Sequence, residues 1–597
     1  MDTTSPFRLP RKTPLGIAEN VAEWATGLSV LDNLYAQRPA GCDTESFLRF
    51  ALEILGIDYH VISGSRDTIP QAGATLIVAN HPLGCVEGVI LAELLLQRRK
   101  DVKILANEFL KLVPELEPLF IGVDVFDGVN AHKSNTRALR AANHHLERGG
   151  ALLVFPAGEV SQLVDSKALR LEDKEWSRSV STLIKRNKAL TVPVHIGGLN
   201  SKRFYLAGKV HPMLRTVMLG RELLNKKDRP IGISIGQAIK FKEVNTLDSR
   251  QLVNYLRLNT YLLAKQQSQP PVATKENTPA QTSNDALFDQ YEAIAPAIPL
   301  SDLLADIEQL PMEHHLLSSG EFDVYCTTMD HIPAIMHEIG RMREHNFRLV
   351  GEGTGQALDI DHFDKDYHHL FVWDRANEKL VGAYRLGLVD QLMAKHGIQG
   401  LYSRTLFNYD QPFLAAMGKS IEMGRSVIAE EYQKSMSALL LLWKGISEFV
   451  YQNPDYTHLF GPVSISNDYS DVARQLLTDT MTLHHYDQNC AQHVIAPNPP
   501  KLASQPNWNP QLLSALADMQ LLSRVIARLE QGKGVPVLLR QYLSLNGKLV
   551  SFNVDPDFNN ALDGLIVVDL RQVPHRSLAR YMGSENAALY LKRHANT

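Results

Sequence analysis

Over its first 264 residues the chain alternates short apolar runs with amphipathic stretches. Residues 75–79 (TLIVA), 152–155 (LLVF), 191–195 (TVPVH) and 231–235 (IGISI) have the length and apolar content of buried strands. Between them, residues 134–148 set Ala138, Leu139, Ala142 and Leu146 on one helical face. Ser134 or Asn135 stands at the cap position, and Gly149-Gly150 forms the stop. Strands and helices in alternation predict an α/β sheet covered by helices.

The pattern fails between 265 and 285, KQQSQPPVATKENTPAQTSND, where almost nothing can be buried. Such a stretch is expected to be a flexible linker, about 20 residues with a root-mean-square span of roughly 25 Å. The expected organisation is therefore an α/β body at 1–264, the linker at 265–285 and a second α/β body at 286–597. The second body shows a hairpin pattern at 369–373 and 379–386, a strand at 421–425, a long helix at 435–451 and a strand at 458–465. Its last hundred residues predict a helix over 512–531 and strands near 535–545 and 565–570.

Composition narrows the function classes. With 44% hydrophobic and 21% charged residues over 597 positions, the chain is globular and too long for a single core. A formal net charge of -4 gives no global field for nucleic acid. Cys42, Cys85, Cys326 and Cys490 show no paired spacing, which fits a reducing compartment. The first residues lack the apolar core of a signal peptide, and no run is long enough to cross a bilayer. The expectation is a cytoplasmic protein, peripheral on the inner membrane. The basic cluster Arg98, Arg99, Lys100 and Lys103 is a candidate for meeting anionic headgroups.

Chemistry enters directly after the TLIVA run, at Asn80-His81-Pro82-Leu83-Gly84-Cys85-Val86-Glu87-Gly88. In α/β sheets ligand sites form at the carboxyl ends of strands. A histidine there, with a carboxylate six residues on, can serve as a base oriented by an acid. This half resembles the glycerolipid (PlsC-type) acyltransferases, in order, over about 56–241. The resemblance makes His81 and Glu87 the first motif and Phe155-Pro156-Ala157-Gly158-Glu159-Val160-Ser161 the third. Val192-Pro193-Val194 matches a later block. It implies that His81 deprotonates an acceptor hydroxyl, that Glu87 orients the ring, and that the alkoxide attacks an acyl thioester. Phe155, Pro156, Gly158 and Glu159, with Asn200 and Ser201 in the loop after the VPV block, are the expected substrate-binding residues. Phospholipid enzymes carry Glu and Thr where this third motif has Ala157 and Glu159. That departure weakens the case for a phosphorylated acceptor and leaves acyl transfer in place.

The second half offers Ile421-Glu422-Met423-Gly424-Arg425-Ser426 running into the helix at 435–451. Glu422 could take an amine proton, and Arg425 could hold a carboxylate bidentately. With Asp359, Asp361, Asp364 and Gly382-Ala383-Tyr384-Arg385-Leu386, this order resembles the ornithine N-acyltransferases over about 322–466. These are GNAT-like relatives of the acyl-homoserine-lactone synthases. The resemblance implies a 3-hydroxyacyl group donated by acyl carrier protein to the α-amine of ornithine. Glu422 is then catalytic, and Asp361, Arg385, Arg425 and Ser426 bind substrate. Residues 431–435 carry no glycine for a coenzyme A pyrophosphate, which favours the carrier arm over free acyl-coenzyme A.

The fusion resembles the bifunctional ornithine lipid synthases. The second half would make the amide and the first would esterify its 3-hydroxyl. Expected partners are acyl carrier protein, ornithine or a similar amino acid, the lyso-aminolipid and a membrane surface. No bound cofactor, metal or nucleic acid is expected. The alternatives are another amino-acid head group (glycine, glutamine or lysine), a lysophospholipid acyltransferase with an inactive second half, or a non-enzymatic hemolysin, suggested by hemolysin-like segments near the end.

Overall fold

The structure, a computed structural model, describes every residue except 1–4, 11–16, 124–130, 167–168, 228, 267–290, 502–505, 507 and 596–597. Nearly all of the expected linker lies outside the described residues. The chain forms two compact α/β units: Met1–Lys275 with Gln505–Leu521, and Glu276–Ser504 with Leu522–Thr597.

Unit 1 contains strands β1 (Tyr59–Ser63), β2 (Thr75–Ala79), β3 (Val102–Asn107), β4 (Phe120–Val123), β5 (Ala151–Val154), β6 (Gln162–Asp165), β7 (Arg170–Glu172), β8 (Leu190–Ile196) and β9 (Ile231–Ile235). Its helices are α1 (Ile17–Thr26), α2 (Leu28–Tyr35), α3 (Thr44–Ile54), α4 (Cys85–Leu96), α5 (Ala131–Glu147), α6 (Ser179–Asn187), α7 (Lys202–Val210), α8 (Pro212–Leu223), α9 (Phe241–Val244) and α10 (Ser249–Gln266). The main sheet runs β1-β9-β8-β2-β5-β3-β4. All five residues of β2 are buried, as the unbroken apolar run requires of a strand covered on both faces.

The register decides where chemistry can gather. β5, β2 and β8 are neighbours and run parallel, with Ile77 beside Leu153 on one side and Val192 on the other. Their carboxyl ends therefore lie side by side, and the His81 turn, the Phe155 motif and the 197–201 loop each begin there. Helix α5 begins at Ala131, so Ser134 and Asn135 lie inside it rather than at its cap.

Unit 1 is completed by chain from far downstream. Leu512, Leu513, Ala515 and Leu516 are buried, and the short turn Ser514–Ala517 packs on α10. Asn254 Nδ2 donates to the Gln511 carbonyl at 3.0 Å, and Arg170 reaches the Pro506 carbonyl at 3.4 Å.

Unit 2 is built on strands β10 (His315–Ser319), β11 (Phe322–Thr328), β12 (His368–Asp374), β13 (Lys379–Leu388), β14 (Asn408–Tyr409), β15 (Ser420–Ile428), β16 (His458–Ile465), β17 (Val494–Ile495), β18 (Lys548–Asp555) and β19 (Ala561–Asp569). Its main sheet runs β10-β11-β12-β13-β15-β16-β19-β18. Every neighbouring pair is antiparallel except β15 and β16, which are parallel and pair only over Ser420–Glu422 and His458–Phe460. Two strands from the last hundred residues, β18 and β19, are part of this sheet, and β19 pairs with β16 along the whole length of β16.

One expected strand is a helix. Residues 537–544 turn helically after Pro536, burying Leu539, Tyr542 and Leu543 on one face. The apolar run at 535–545 fits period 3.6 as well as a strand, and the strand comes later, at β18. The helix expected over 512–531 is divided into the turn at Ser514–Ala517 and the helix Met519–Leu529.

The buried Trp508 tests the downstream segment. Trp508→Ala is expected to destabilise unit 1 by about 3–5 kcal/mol, seen in a melt as earlier unfolding of one transition while the other stays in place.

Candidate active sites

In unit 1 the first site is assembled by the strand that precedes it. Asn80, directly after β2, donates from Nδ2 to the Ile196 carbonyl (2.8 Å), and its Oδ1 accepts from the Ile196 amide (2.7 Å). This pins the end of β2 to the end of β8. The chain then turns through Gly84, whose φ of 97° lies in the left-handed region, and a Cβ there would sit 2.5 Å from Leu219. Helix α4 starts at Cys85, which puts Glu87 in its first turn.

The Glu87 side chain is completely buried. Its Oε1 accepts from the backbone amides of Leu83 (2.9 Å) and Gly84 (2.8 Å) and lies 2.8 Å from His81 Nδ1. The two atoms are in close contact without the alignment of an N–H···O hydrogen bond. Contact at Nδ1 leaves Nε2 as the nitrogen free to exchange a proton. The ring stacks on Phe155 with centroids 4.6 Å apart, joining the first motif to the third.

Behind these residues stands an acid the sequence reading missed. Asp173 Oδ1 accepts from Ser161 Oγ (2.5 Å) and from the His81 amide (3.3 Å), and Oδ2 accepts from the Trp176 indole (2.9 Å). Its own amide donates to Tyr261 OH on α10 at 2.9 Å. The Ser161 amide donates to the His81 carbonyl at 2.8 Å. Asp173 thus ties the histidine turn, the end of the third motif and α10 together. Asp173-x-x-Trp176 after the β6–β7 hairpin was the available signal.

The other expected residues of this half divide. Phe155 meets the histidine, the Pro156 carbonyl accepts from the Ser177 amide at 2.9 Å, and Gly158 supplies a φ of 70°. Glu159 is held by Arg215 at 2.9 Å and Lys174 at 3.2 Å. Asn200 and Ser201, expected to bind substrate, are occupied as supports. Asn200 Nδ2 donates to the Pro82 and Leu83 carbonyls (both 3.3 Å), and its Oδ1 accepts from Lys226 at 2.7 Å. Ser201 caps α7 and donates to the buried Glu222.

Burial and the nearby Glu87 push the Cys85 thiol up to about 11, leaving it protonated at neutral pH and unsuited to be a nucleophile. The basic cluster at 98–103 is likewise engaged. Arg99 is buried against Asp101 and the Gly73 and Gly149 carbonyls, Arg98 reaches the Ile69 carbonyl, Lys100 pairs with Glu45 and Lys103 with the Pro118 carbonyl. Each of the four cations thus has a partner within the protein, and Arg99 is enclosed.

In unit 2 the corresponding centre is a bulge. β15 slips register against β13 between Arg385 and Ala383, and Arg425 sits there with φ 47°. Its guanidinium contacts Asp359 (3.2 Å) and Asp361 (3.7 Å), donates to Tyr402 OH (3.1 Å) and lies over the Tyr402 and Phe558 rings. Arg385 donates to Asp361 (2.7 Å) and Asp364 (3.3 Å), and Arg343 donates to Asp364 (2.8 Å). Burial pushes the Asp364 carboxyl up, yet Arg343 and Arg385 outweigh it and hold it well below the usual range. Asp361, Arg385 and Arg425 therefore come together as expected. Ser426 is half-buried beside them in sequence, on the hydroxyl of Tyr384.

Glu422 does not join that group as an open base. Its Oε1 accepts from the Ser403 amide (2.7 Å) and hydroxyl, and its Oε2 from the Tyr402 amide (3.0 Å) and Tyr367 hydroxyl. A buried carboxylate with four donors anchors residues 402–403 and has no place left for an amine proton.

Two carboxyls that were missed are better suited. Asp563 on β19 faces Ser464 on β16, accepting from Ser464 Oγ at 2.6 Å, and Ser464 is exposed. Burial pushes Asp563 up to about 7. The Ser464 bond and Arg425 oppose the shift, and Asp555 and Glu352 add to it. Glu352 is also raised to about 7, by burial and then by Asp468 and Asp555.

Near these carboxyls the pairing of β15 with β16 ends. At Gly461 they are so close that a Cβ would lie 2.1 Å from the Met423 carbonyl oxygen, and beyond the three paired residues the two strands no longer bond to each other. Unpaired backbone along such an opening suits an extended, amide-bearing arm.

Comparison with known proteins finds matches in both halves of the chain. Residues 42–269 match the acyltransferase family, and residues 342–444 match the acetyltransferase (GNAT) domain. A glycine N(alpha)-acyltransferase of Phocaeicola vulgatus is 28% identical over 279 residues, covering 44% of this chain and 84% of that protein. The like-named protein of Bacteroides thetaiotaomicron is 29% identical over 244 residues, covering 38% and 71%. A lyso-glycine lipid O-acyltransferase of the same organism is 28% identical over 204 residues, covering 33% and 71%. The chain is an acyltransferase, with an acyltransferase domain followed by a GNAT domain.

Two measurements test these centres. Asp173→Ala leaves the Ser161 hydroxyl and Trp176 indole without their acceptor, and is expected to cost about 2–4 kcal/mol in urea unfolding of unit 1. For Asp563, the unfolded chain releases its proton near 3.8 and the folded one near 7, so this group makes stability fall as pH rises between those values. Asp563→Asn should therefore gain on wild type when unfolding is measured at pH 8 instead of pH 5. An equal difference at both pH values would overturn the assignment.

Proposed function

We propose that the protein makes a diacylated aminolipid by two successive acyl transfers, unit 2 acting first and unit 1 second. The carrying observation is the His81–Glu87 pair backed by Phe155, in a chain whose relatives are named for N-acyl and O-acyl transfer to glycine and its lipid.

In unit 2 an amino acid presents its carboxylate to Arg425. Its ammonium gives up a proton to Asp563 or Glu352, both of which titrate near neutrality. The neutral amine attacks the carbonyl of a 3-hydroxyacyl thioester whose arm lies in the opening between β15 and β16, and the thiol leaves as the amide forms. Acyl carrier protein is the favoured donor, since residues 431–435 lack the glycines a coenzyme A pyrophosphate would approach. In unit 1 His81 Nε2 takes the proton of the amide's 3-hydroxyl. The alkoxide attacks a second thioester, Glu87 balances the imidazolium, and His81 returns the proton to the departing thiolate. Product and remaining reactants thus balance, one ester formed and one thioester broken.

Glycine is the acceptor best supported by the relatives. Ornithine is the second reading, favoured by the grouping of Glu352, Asp555 and Asp563, where a second ammonium would find carboxylates that glycine does not need. The finer assignment is tested with purified protein, 3-hydroxyacyl carrier protein and labelled glycine or ornithine. Wild type is expected to yield the diacyl lipid from one of them, and His81→Ala to stop at the mono-acyl amide. Asp563→Asn should lower amide formation at least tenfold. Phospholipid acylation with no amide product would remove the proposal for unit 2.

A further inference from the structure

Helix α1 is inside out. Its acids Glu19 and Glu23 are buried, with Glu23 accepting from the Leu9 amide at 2.7 Å, whereas Ile17, Val21 and Trp24 are 61%, 60% and 73% exposed. Positions 17, 21 and 24 form one stripe at helical spacing, so a whole face of large apolar side chains points outward. A water-facing helix places these residues the other way round.

The helices packed with α1 also expose large apolar side chains. Helices α1 and α2 press on α8 where Gly27 and Gly220 meet, and a Cβ on Gly220 would lie 3.0 Å from the Thr26 carbonyl. Helix α7 packs along α8, and these two expose Leu206, Val210, Leu214 and Val217. Around them Lys202, Arg203, Lys209 and Arg221 are exposed. Among the described residues from 201 to 227 the one acid, Glu222, is buried against Ser201 and Lys226.

The inner side of α8 reaches the catalytic turn. Arg215 bonds Glu159 of the third motif, and Leu219 fills the space beside Gly84, three residues from His81. One helix therefore has an apolar outer face and an inner face on the O-acylation centre.

We propose that α1, α7 and α8 form a docking face for an anionic bilayer, the apolar side chains entering the acyl region and the cations meeting headgroup phosphates. Charge complementarity selects this occupant: a cationic fringe around an aliphatic and tryptophan centre matches the depth profile of a lipid surface. An interface with another protein would instead lack charge at its core without needing one sign around it. The docking face rests on unit 1 taking a lipid acceptor, and it would place that acceptor's hydroxyl within reach of α8 and the His81 turn.

Trp24 is a built-in reporter, because the other four tryptophans of the chain are buried. Full-length protein is mixed with phosphatidylglycerol or phosphatidylcholine vesicles and floated on a gradient. Wild type should float with phosphatidylglycerol, shift its tryptophan emission to shorter wavelength, and bind phosphatidylcholine far more weakly. Val21→Glu with Val210→Glu should lose flotation while turnover of a detergent-dispersed lyso-aminolipid is unchanged. Lys202→Glu and Lys209→Glu should each weaken binding about fivefold or more at low salt. Flotation of the Val21/Val210 variant like wild type, or a dimer in solution that this variant splits without any vesicle binding, would overturn the docking face. Vesicle binding without turnover of the dispersed acceptor would leave it standing and remove the O-acylation reading instead.

Discussion

A carboxylate withdrawn from water has to be supplied with donors by the chain around it, and both units are shaped by that demand. In unit 1 the donors are the Leu83 and Gly84 amides, and they can both point at Glu87 only because the chain turns through a left-handed glycine. The same turn brings His81 to within 2.8 Å of that carboxylate. In unit 2 the amides of Tyr402 and Ser403 converge on Glu422. Tyr402 is thereby fixed between Arg385 and Arg425, whose guanidiniums lie over its ring. In each case one buried acid converts a loop of ordinary composition into a surface with defined geometry. Leaving such an acid unsatisfied costs several kcal/mol, which is why these turns have little freedom to be otherwise.

The framework was legible in the sequence wherever burial leaves a continuous apolar run. TLIVA is β2 as read, and the hairpin at β12 and β13 is where its alternation places it. The first and third motifs could be placed because each directly follows such a run. What was not legible depends on partners distant in sequence. Glu422 looks like an open base until Tyr367, 55 positions away, is seen to donate to it. Asp173 carries no local pattern that separates it from a solvated loop acid, yet its role is defined by His81, 92 positions earlier. The cluster at 98–103 shows the same limit from the other side, since a run of positive charge does not reveal that Arg99 will be enclosed by carbonyls. At 537–544 the difficulty was periodicity, eight residues being too few to separate strand from helix.

The two centres solve different electrostatic problems. On the proposed reading unit 1 has to generate an alkoxide from a neutral hydroxyl, and what it offers is one ionisable ring beside one buried carboxylate. The carboxylate of the third motif, Glu159, is already neutralised by Arg215 and Lys174. The cations nearest the motif that phospholipid enzymes use for phosphate are thus occupied by the protein's own acid. A zwitterionic amino acid, the acceptor proposed for unit 2, needs both signs close together. Arginines 343, 385 and 425 are interleaved with aspartates 359, 361 and 364, and the raised carboxyls Glu352 and Asp563 lie at the margin of that lattice.

The placement of residues 505–521 has a bearing on how such a gene can change. The similar proteins in Bacteroides and Phocaeicola are separate chains, one named for each acylation. Here the first unit borrows buried residues, Leu512 and Leu516 among them, from chain that lies beyond most of the second. A mutation that split the coding sequence at the polar stretch after residue 264 would not yield two self-contained units. It would leave the first with an exposed apolar face and the second carrying a segment with nothing to cover. The two units are therefore bound to be made together, in a fixed ratio of one to one.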